Sequence, residues 1–83
     1  MRVTVRYFAA IREQIGLNTE EVETQALDLD ALRAELMARG EPYSVALEEG
    51  KAIRMALNQQ VSDGHCVLLP NAEVAFFPPV TGG

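Results

Sequence analysis

From Arg2 to Phe8 the chain alternates polar side chains with Val3, Val5 and Tyr7, the two-residue period of a strand that buries one face. Arg2, Thr4, Arg6 and Phe8 fall on the opposite face, which leaves Phe8 as an aromatic on the solvated side. The period then changes. Across Ala9 to Ile15, Ile11 and Ile15 stand one helical turn apart, and Gly16 suits the left-handed residue that closes a helix. Thr19 to Thr24 predicts a second strand centred on Val22. It should pair antiparallel with the first and lie at a sheet edge, because Glu20, Glu21 and Glu23 demand a solvated face.

Asp28 is a helix N-cap followed by Asp30 in the first turn. Leu29, Leu32 and Leu36 make a stripe at i, i+3 and i+7, with Arg33, Glu35 and Arg39 assigned to other faces. Gly40 and Pro42 end this main helix, predicted over 29–39. Tyr43 to Glu49 gives one or two further helical turns, stopped by Gly50, and Ile53, Met55 and Leu57 alternate as a third strand. Asn58, Gln59 and Gln60 form a polar turn or strand end, with a minor strand near 60–61 or 67–68. Ser62, Asp63 and Gly64 are loop-forming, and Pro70-Asn71 is a tight turn into a last strand in which Val74 and Phe76 alternate with Ala75 and Phe77. This order is α+β, one main helix packed on a mixed sheet of four to five strands. Leu32 and Leu36 should face Val3, Val5, Met55 and Val74.

The strand has to end near Phe77. Pro78 and Pro79 fix φ, remove two backbone donors and favour extended polyproline geometry. The chain therefore divides into a folded domain over 1–77 and an extended tail over 78–83 made of Pro78, Pro79, Val80, Thr81, Gly82 and Gly83. Residues without Cβ pass through channels too narrow for a side chain. At 3.3 to 3.6 Å per residue, such a tail carries its carboxylate about 20 Å beyond the sheet.

Composition narrows the chemistry. A chain of 83 residues with 48% hydrophobic and 23% charged content fits one ordinary domain, and it buries only about 60% of its unfolded surface. That leaves little room for a catalytic pocket and favours a carrier or binding module. Net charge is −5, with the basic residues dispersed, so nucleic acid is an unsuitable partner and a basic protein surface a suitable one. Cys66 is the single cysteine and reads as a small buried hydrophobe; without an internal disulfide the fold suits a reducing cytoplasm. Apolar runs too short to span a membrane and an N-terminus without a signal-peptide core imply a soluble cytoplasmic protein. His65 and Cys66 make no metal-ligand set, and Glu48, Glu49 and Glu73 read as solvated carboxylates. No catalytic constellation is present. What remains reactive is the terminal carboxyl group.

The run Phe76-Phe77-Pro78-Pro79-Val80-Thr81-Gly82-Gly83 resembles the C-terminal signature of the small, sulfur-carrying chain of molybdopterin synthase, a ubiquitin-like β-grasp family. Tyr7 to Glu13, Ala46 to Lys51 and Leu57-Asn58-Gln59 are similar to the same family, so the resemblance spans the chain. It implies a β-grasp sheet in which the first and last strands run parallel at the centre. It also implies that a ubiquitin-activating-type adenylyltransferase uses ATP to adenylate Gly83. A sulfurtransferase then supplies the sulfur of a thiocarboxylate, which attacks cyclic pyranopterin monophosphate in the large subunit's active site. The implied assembly has two large and two small subunits, with no bound cofactor or metal on this chain. Phe8 and Phe77 would share one outward patch for the large subunit. Pro70-Asn71-Ala72 departs from the Asp-Gly-Asp type of turn usual in the family, and Cys66 is an addition. The same Gly-Gly chemistry also suits a sulfur carrier for thiamine or tRNA thiolation, or a ubiquitin-like protein modifier.

Overall fold

The first alternating stretch folds as β1 (Arg2–Tyr7), with Val3, Val5 and Tyr7 buried, and it is followed by α1 (Ala9–Ile15), closed by Gly16 at φ 86°. In this computed structural model, which describes residues 1–79, the remaining elements are β2 (Thr19–Glu23), α2 (Leu29–Met37), α3 (Tyr43–Ala46), β3 (Arg54–Leu57), β4 (Gln60–Ser62) and β5 (Glu73–Phe77). Each element lies close to its expected span. α2 stops at Met37 rather than 39, because Arg39 and Gly40 already bond back to Leu36 and Met37 in a tighter turn, with Gly40 at φ 88°.

The sheet order is β2-β1-β5-β3-β4. β1 and β5 run parallel at its centre, with Val5 opposite Val74 and Tyr7 opposite Phe76, while the other three pairings are antiparallel. Polar edge strands flank this apolar centre, and β2 exposes Glu21 and Glu23, as a sheet edge requires. Val67 forms only an isolated bridge with Asp28, so the minor strand is the one at Gln60.

Two turns fix the register of the second half. Asn58 and Gln59, at φ 50° and 70°, make the two-residue hairpin between β3 and β4, where Leu57 pairs with Gln60. The Asn58 side-chain oxygen also accepts from Glu73 N at 3.0 Å and its backbone N–H donates to Glu73 O at 2.8 Å, which ties the hairpin to β5. Pro70 and Asn71 then occupy the centre of a turn closed by Ala72 N–H to Leu69 O at 3.2 Å, with Asn71 at φ 68°. Proline followed by a left-handed asparagine is the chemistry of a type II turn. A Cβ on Gly64 would meet the Asp30 carboxylate, which would have to swing aside toward solvent.

Asp28 caps α2 by accepting from Ala31 N at 2.8 Å, and Leu29, Leu32 and Leu36 are wholly buried in one core with Val3, Val5, Met55 and Val74. Cys66 is half-buried and packs on the edge of the same core. Among the described residues, no helix is long and apolar enough to cross a membrane, and no group of three potential metal ligands converges.

Arg33 overturns one expectation. It is 6% exposed, and its guanidinium donates to Leu47 O at 2.8 Å and Glu48 O at 2.7 Å. Position 33 lies four residues after Leu29 and therefore on the core stripe, so the helical period outweighs the charge. The long stem crosses the core edge and the head is met by carbonyls just past the C-terminal end of α3, where the peptide dipoles are negative.

Two substitutions test this packing. Leu36→Ala should destabilise by about 2 to 5 kcal/mol through lost burial and a cavity. Arg33→Ala should cost about 3 kcal/mol, because it leaves two carbonyls without their charged donor. Denaturant titration measures both; a loss below about 0.5 kcal/mol for either would put that side chain on the surface.

Candidate functional site at the root of the tail

β5 delivers Phe77 to the outer face of the sheet, and Pro78 follows half-buried with Pro79 exposed. Next to β5, the end of β1 brings Phe8 alongside, fixed by Phe8 N–H donating to Phe76 O at 3.2 Å. Ala9 turns the chain away at φ 52°, a left-handed conformation that costs a non-glycine residue about 1 to 2 kcal/mol. Phe8 is thereby left 36% exposed at the lip of an open groove of ≈ 480 Å³.

Phe8, Phe77, Pro78 and Val61 form the apolar walls of that groove, and Ala56 and Ala75 form its floor. The two alanines are cross-strand partners, 7% and 9% exposed. Small side chains there keep the sheet surface low between aromatic walls. Arg6 lines one rim, with its guanidinium carbon 5.1 Å from the centre of the Phe8 ring and a nitrogen 3.9 Å from Glu73 Oε2. The groove is thus mainly apolar with a short polar margin, the composition of a protein-docking surface.

Of the residues singled out in the sequence, Phe8, Phe77 and Pro78 converge on this groove, and Pro79 lies just beyond it. Val80, Thr81, Gly82 and Gly83 lie outside the described residues.

Behind the groove, on the inner face, is a polar cluster that reasoning from residue type alone misses. Glu20 Oε2 accepts from Tyr7 Oη at 2.8 Å and from Tyr43 Oη at 2.6 Å, while Glu20 Oε1 accepts from Arg39 at 3.1 Å. The Arg39 guanidinium also sits 5.0 Å from the centre of the Tyr43 ring, and Tyr7 stacks on Phe76 with centroids 6.2 Å apart. Glu20 shares the inward parity of Val22, and that parity is the signal the sequence offers. Burial opposes ionisation of Glu20, yet the hydrogen bonds from Tyr43, Tyr7 and Arg39 outweigh it and hold the carboxyl below its ordinary value. Burial, reinforced by the adjacent carboxylate, pushes the Tyr7 and Tyr43 phenols up, so both remain donors.

Residues 5–83 match the ThiS family. The chain belongs to that family. Among curated relatives, it is 40% identical to the molybdopterin synthase sulfur carrier subunit of Escherichia coli K12, over 98% of this chain and 99% of that one. It is 35% identical to the protein of the same name from Mycobacterium tuberculosis, over 100% and 99% of the two chains. Among solved structures, a complex of subunits 1 and 2 of the molybdopterin-converting factor from Helicobacter pylori contains a chain that matches with TM-score 0.66 and 31% identity, covering all of both chains. The small archaeal modifier protein 1 of H. volcanii matches with TM-score 0.76 over 95% of this chain and 98% of its own, at 20% identity, and so shares the fold. The ThiS-family chain accordingly has the ubiquitin-like β-grasp architecture, as its sheet order and central parallel pair require.

Glu20 gives a pH test of the inner cluster. Because its folded value is lowered from the ordinary 4.5, the stability it contributes is present above that pH and is lost as pH falls through the folded value. Glu20→Gln should therefore be less stable at pH 7 by about 1 to 3 kcal/mol, with the gap narrowing below about pH 4. Chemical denaturation of both proteins at pH 7 and pH 3 decides it: an equal gap at both would mean the carboxylate charge has no part in the cluster.

Proposed function

We propose that this chain is the sulfur carrier of molybdopterin synthase, with Gly83 bearing the sulfur. The observation that carries this reading is the apolar groove of Phe8, Phe77 and Pro78 at the root of a tail ending in Gly82-Gly83. The names of the curated relatives support it, as does the solved complex of the two molybdopterin-converting factor chains from Helicobacter pylori. In this reading the groove docks on the large subunit, in an assembly of two large and two small chains. Pro78, Pro79, Val80, Thr81 and Gly82 span the channel to the reacting pterin.

The chemistry follows from the one electrophile available. A carboxylate is a poor acyl donor until an adenylyltransferase lets it attack the α-phosphate of ATP, which releases pyrophosphate and leaves an acyl-adenylate on Gly83. A sulfide-equivalent nucleophile from the sulfur donor then displaces AMP and leaves the thiocarboxylate. Its anionic sulfur attacks an electrophilic carbon of the pterin precursor, the C–S bond forming as a C–O bond there breaks and the oxygen leaves, and water then cleaves the resulting thioester. That step returns the Gly83 carboxylate and leaves the sulfur on the pterin. Two such cycles supply a dithiolene. The carrier contributes the sulfur and its delivery, and the catalytic pocket belongs to its partner.

Phe77→Ala should weaken binding of the large subunit by about 2 kcal/mol or more while the isolated domain stays folded, as for an aromatic anchor at an interface centre. Titration calorimetry beside a thermal melt reads both; unfolding of the isolated variant would make Phe77 a core residue instead. Synthase reconstitution tests the tail. A chain extended beyond Gly83 holds the reactive carbon in an ordinary amide and should give no turnover. Gly82→Val should be strongly impaired, because a β-branched side chain restricts φ and fills the channel. Turnover by an extended and demonstrably uncleaved chain would rule out the thiocarboxylate route.

A further inference from the structure

Arg54 opens β3 directly opposite Phe77 and shares the outer face with Ala56 in the groove floor. Opposed residues of an antiparallel pair have Cβ atoms about 4.5 to 5.5 Å apart, so the Arg54 side chain leaves the sheet next to that of Phe77 at the root of the tail. Arg54 is exposed, and among the described residues no carboxylate lies within ion-pair distance of it. The carboxylate that follows β4 on that side, Asp63, accepts instead from His65 N at 2.8 Å. Arg2, Arg6 and Arg39 have acidic partners, whereas Arg54, like Arg12, Arg33 and Lys51, has none among the described residues; what sets Arg54 apart is its place opposite Phe77.

This inference rests on the carrier reading above. A protein surface that closes over Phe77 and Pro78 must also close over the side chain paired with Phe77. Removing a guanidinium from water without an acceptor is strongly unfavourable, so such a surface has to supply one. The planar fork of an arginine is matched by a carboxylate, which accepts two parallel hydrogen bonds. We propose that Arg54 is a recognition residue: it meets a carboxylate on the large subunit at the mouth of the channel that takes the tail.

The sign of the effect makes this testable. The chain carries a net charge of −5, so if the partner were simply basic, Arg54→Glu would strengthen the attraction and speed association. A local carboxylate predicts the reverse. Stopped-flow association with the large subunit should be about tenfold or more slower for Arg54→Glu at low ionic strength and a few-fold slower for Arg54→Gln. The differences should collapse near 1 M salt, where the screening length is about 3 Å. Because the side chain is exposed, both variants should melt with the unaltered chain, and Arg54→Gln carries the test if the reversal perturbs folding. Association of the variants as fast as that of the unaltered chain, or faster, overturns this inference alone. An unaltered chain that does not bind the large subunit overturns it together with the carrier reading.

Discussion

The parallel pairing of β1 with β5 is the constraint on which the rest depends. It joins the start of the chain to its far end, with Thr4 opposite Glu73 and Tyr7 opposite Phe76. A parallel pair cannot be closed by a short turn, so everything between must form the crossover, and α2 covers the inner face as that crossover's main body. With the register set, Phe8 can only come to rest beside Phe77. The two aromatic walls of the groove are therefore a consequence of strand pairing and not of any local motif.

The same pair of strands presents different chemistry on its two faces. Inward, Tyr7 and Phe76 stack over the core, and the Tyr7 hydroxyl reaches Glu20, which also gathers Tyr43 and Arg39. This closes one end of the core with a carboxylate whose acceptor oxygens are satisfied by three donors. Outward, alanines at 56 and 75 leave a depression that larger side chains would fill. A hydrogen-bonded cluster thus lies on the inner face of the sheet and an open apolar groove on the outer one.

Most of this architecture is legible in the sequence. Two-residue alternation marks β1, β2 and β5, and Asp28, Gly40 and Pro70-Asn71 mark ends and turns through their own backbone chemistry. The parallel centre is not legible from periodicity, because a period states which face is buried and not which strand lies alongside; the family resemblance supplies it. Arg33 and Glu20 escape a reading by residue type for one shared reason. Charge argues for exposure, yet both occupy inward positions of their elements; Arg33 is buried and Glu20 half-buried only because the fold supplies partners far away in sequence. At the candidate site, strand parity locates Phe8 and Phe77. It does not reveal the alanine floor, since an alanine on an outer face gives no signal until its neighbours are known.

The central claim is that Gly83 alternates between a carboxylate and a thiocarboxylate. It is tested most directly by intact-mass spectrometry of the chain after incubation with the adenylyltransferase, ATP and a sulfur donor, followed by mapping of the C-terminal peptide. The account predicts the mass change of one oxygen replaced by sulfur, located on Gly83 and dependent on ATP. An unchanged mass, or a chain joined through Gly83 to a lysine of another protein, would contradict it.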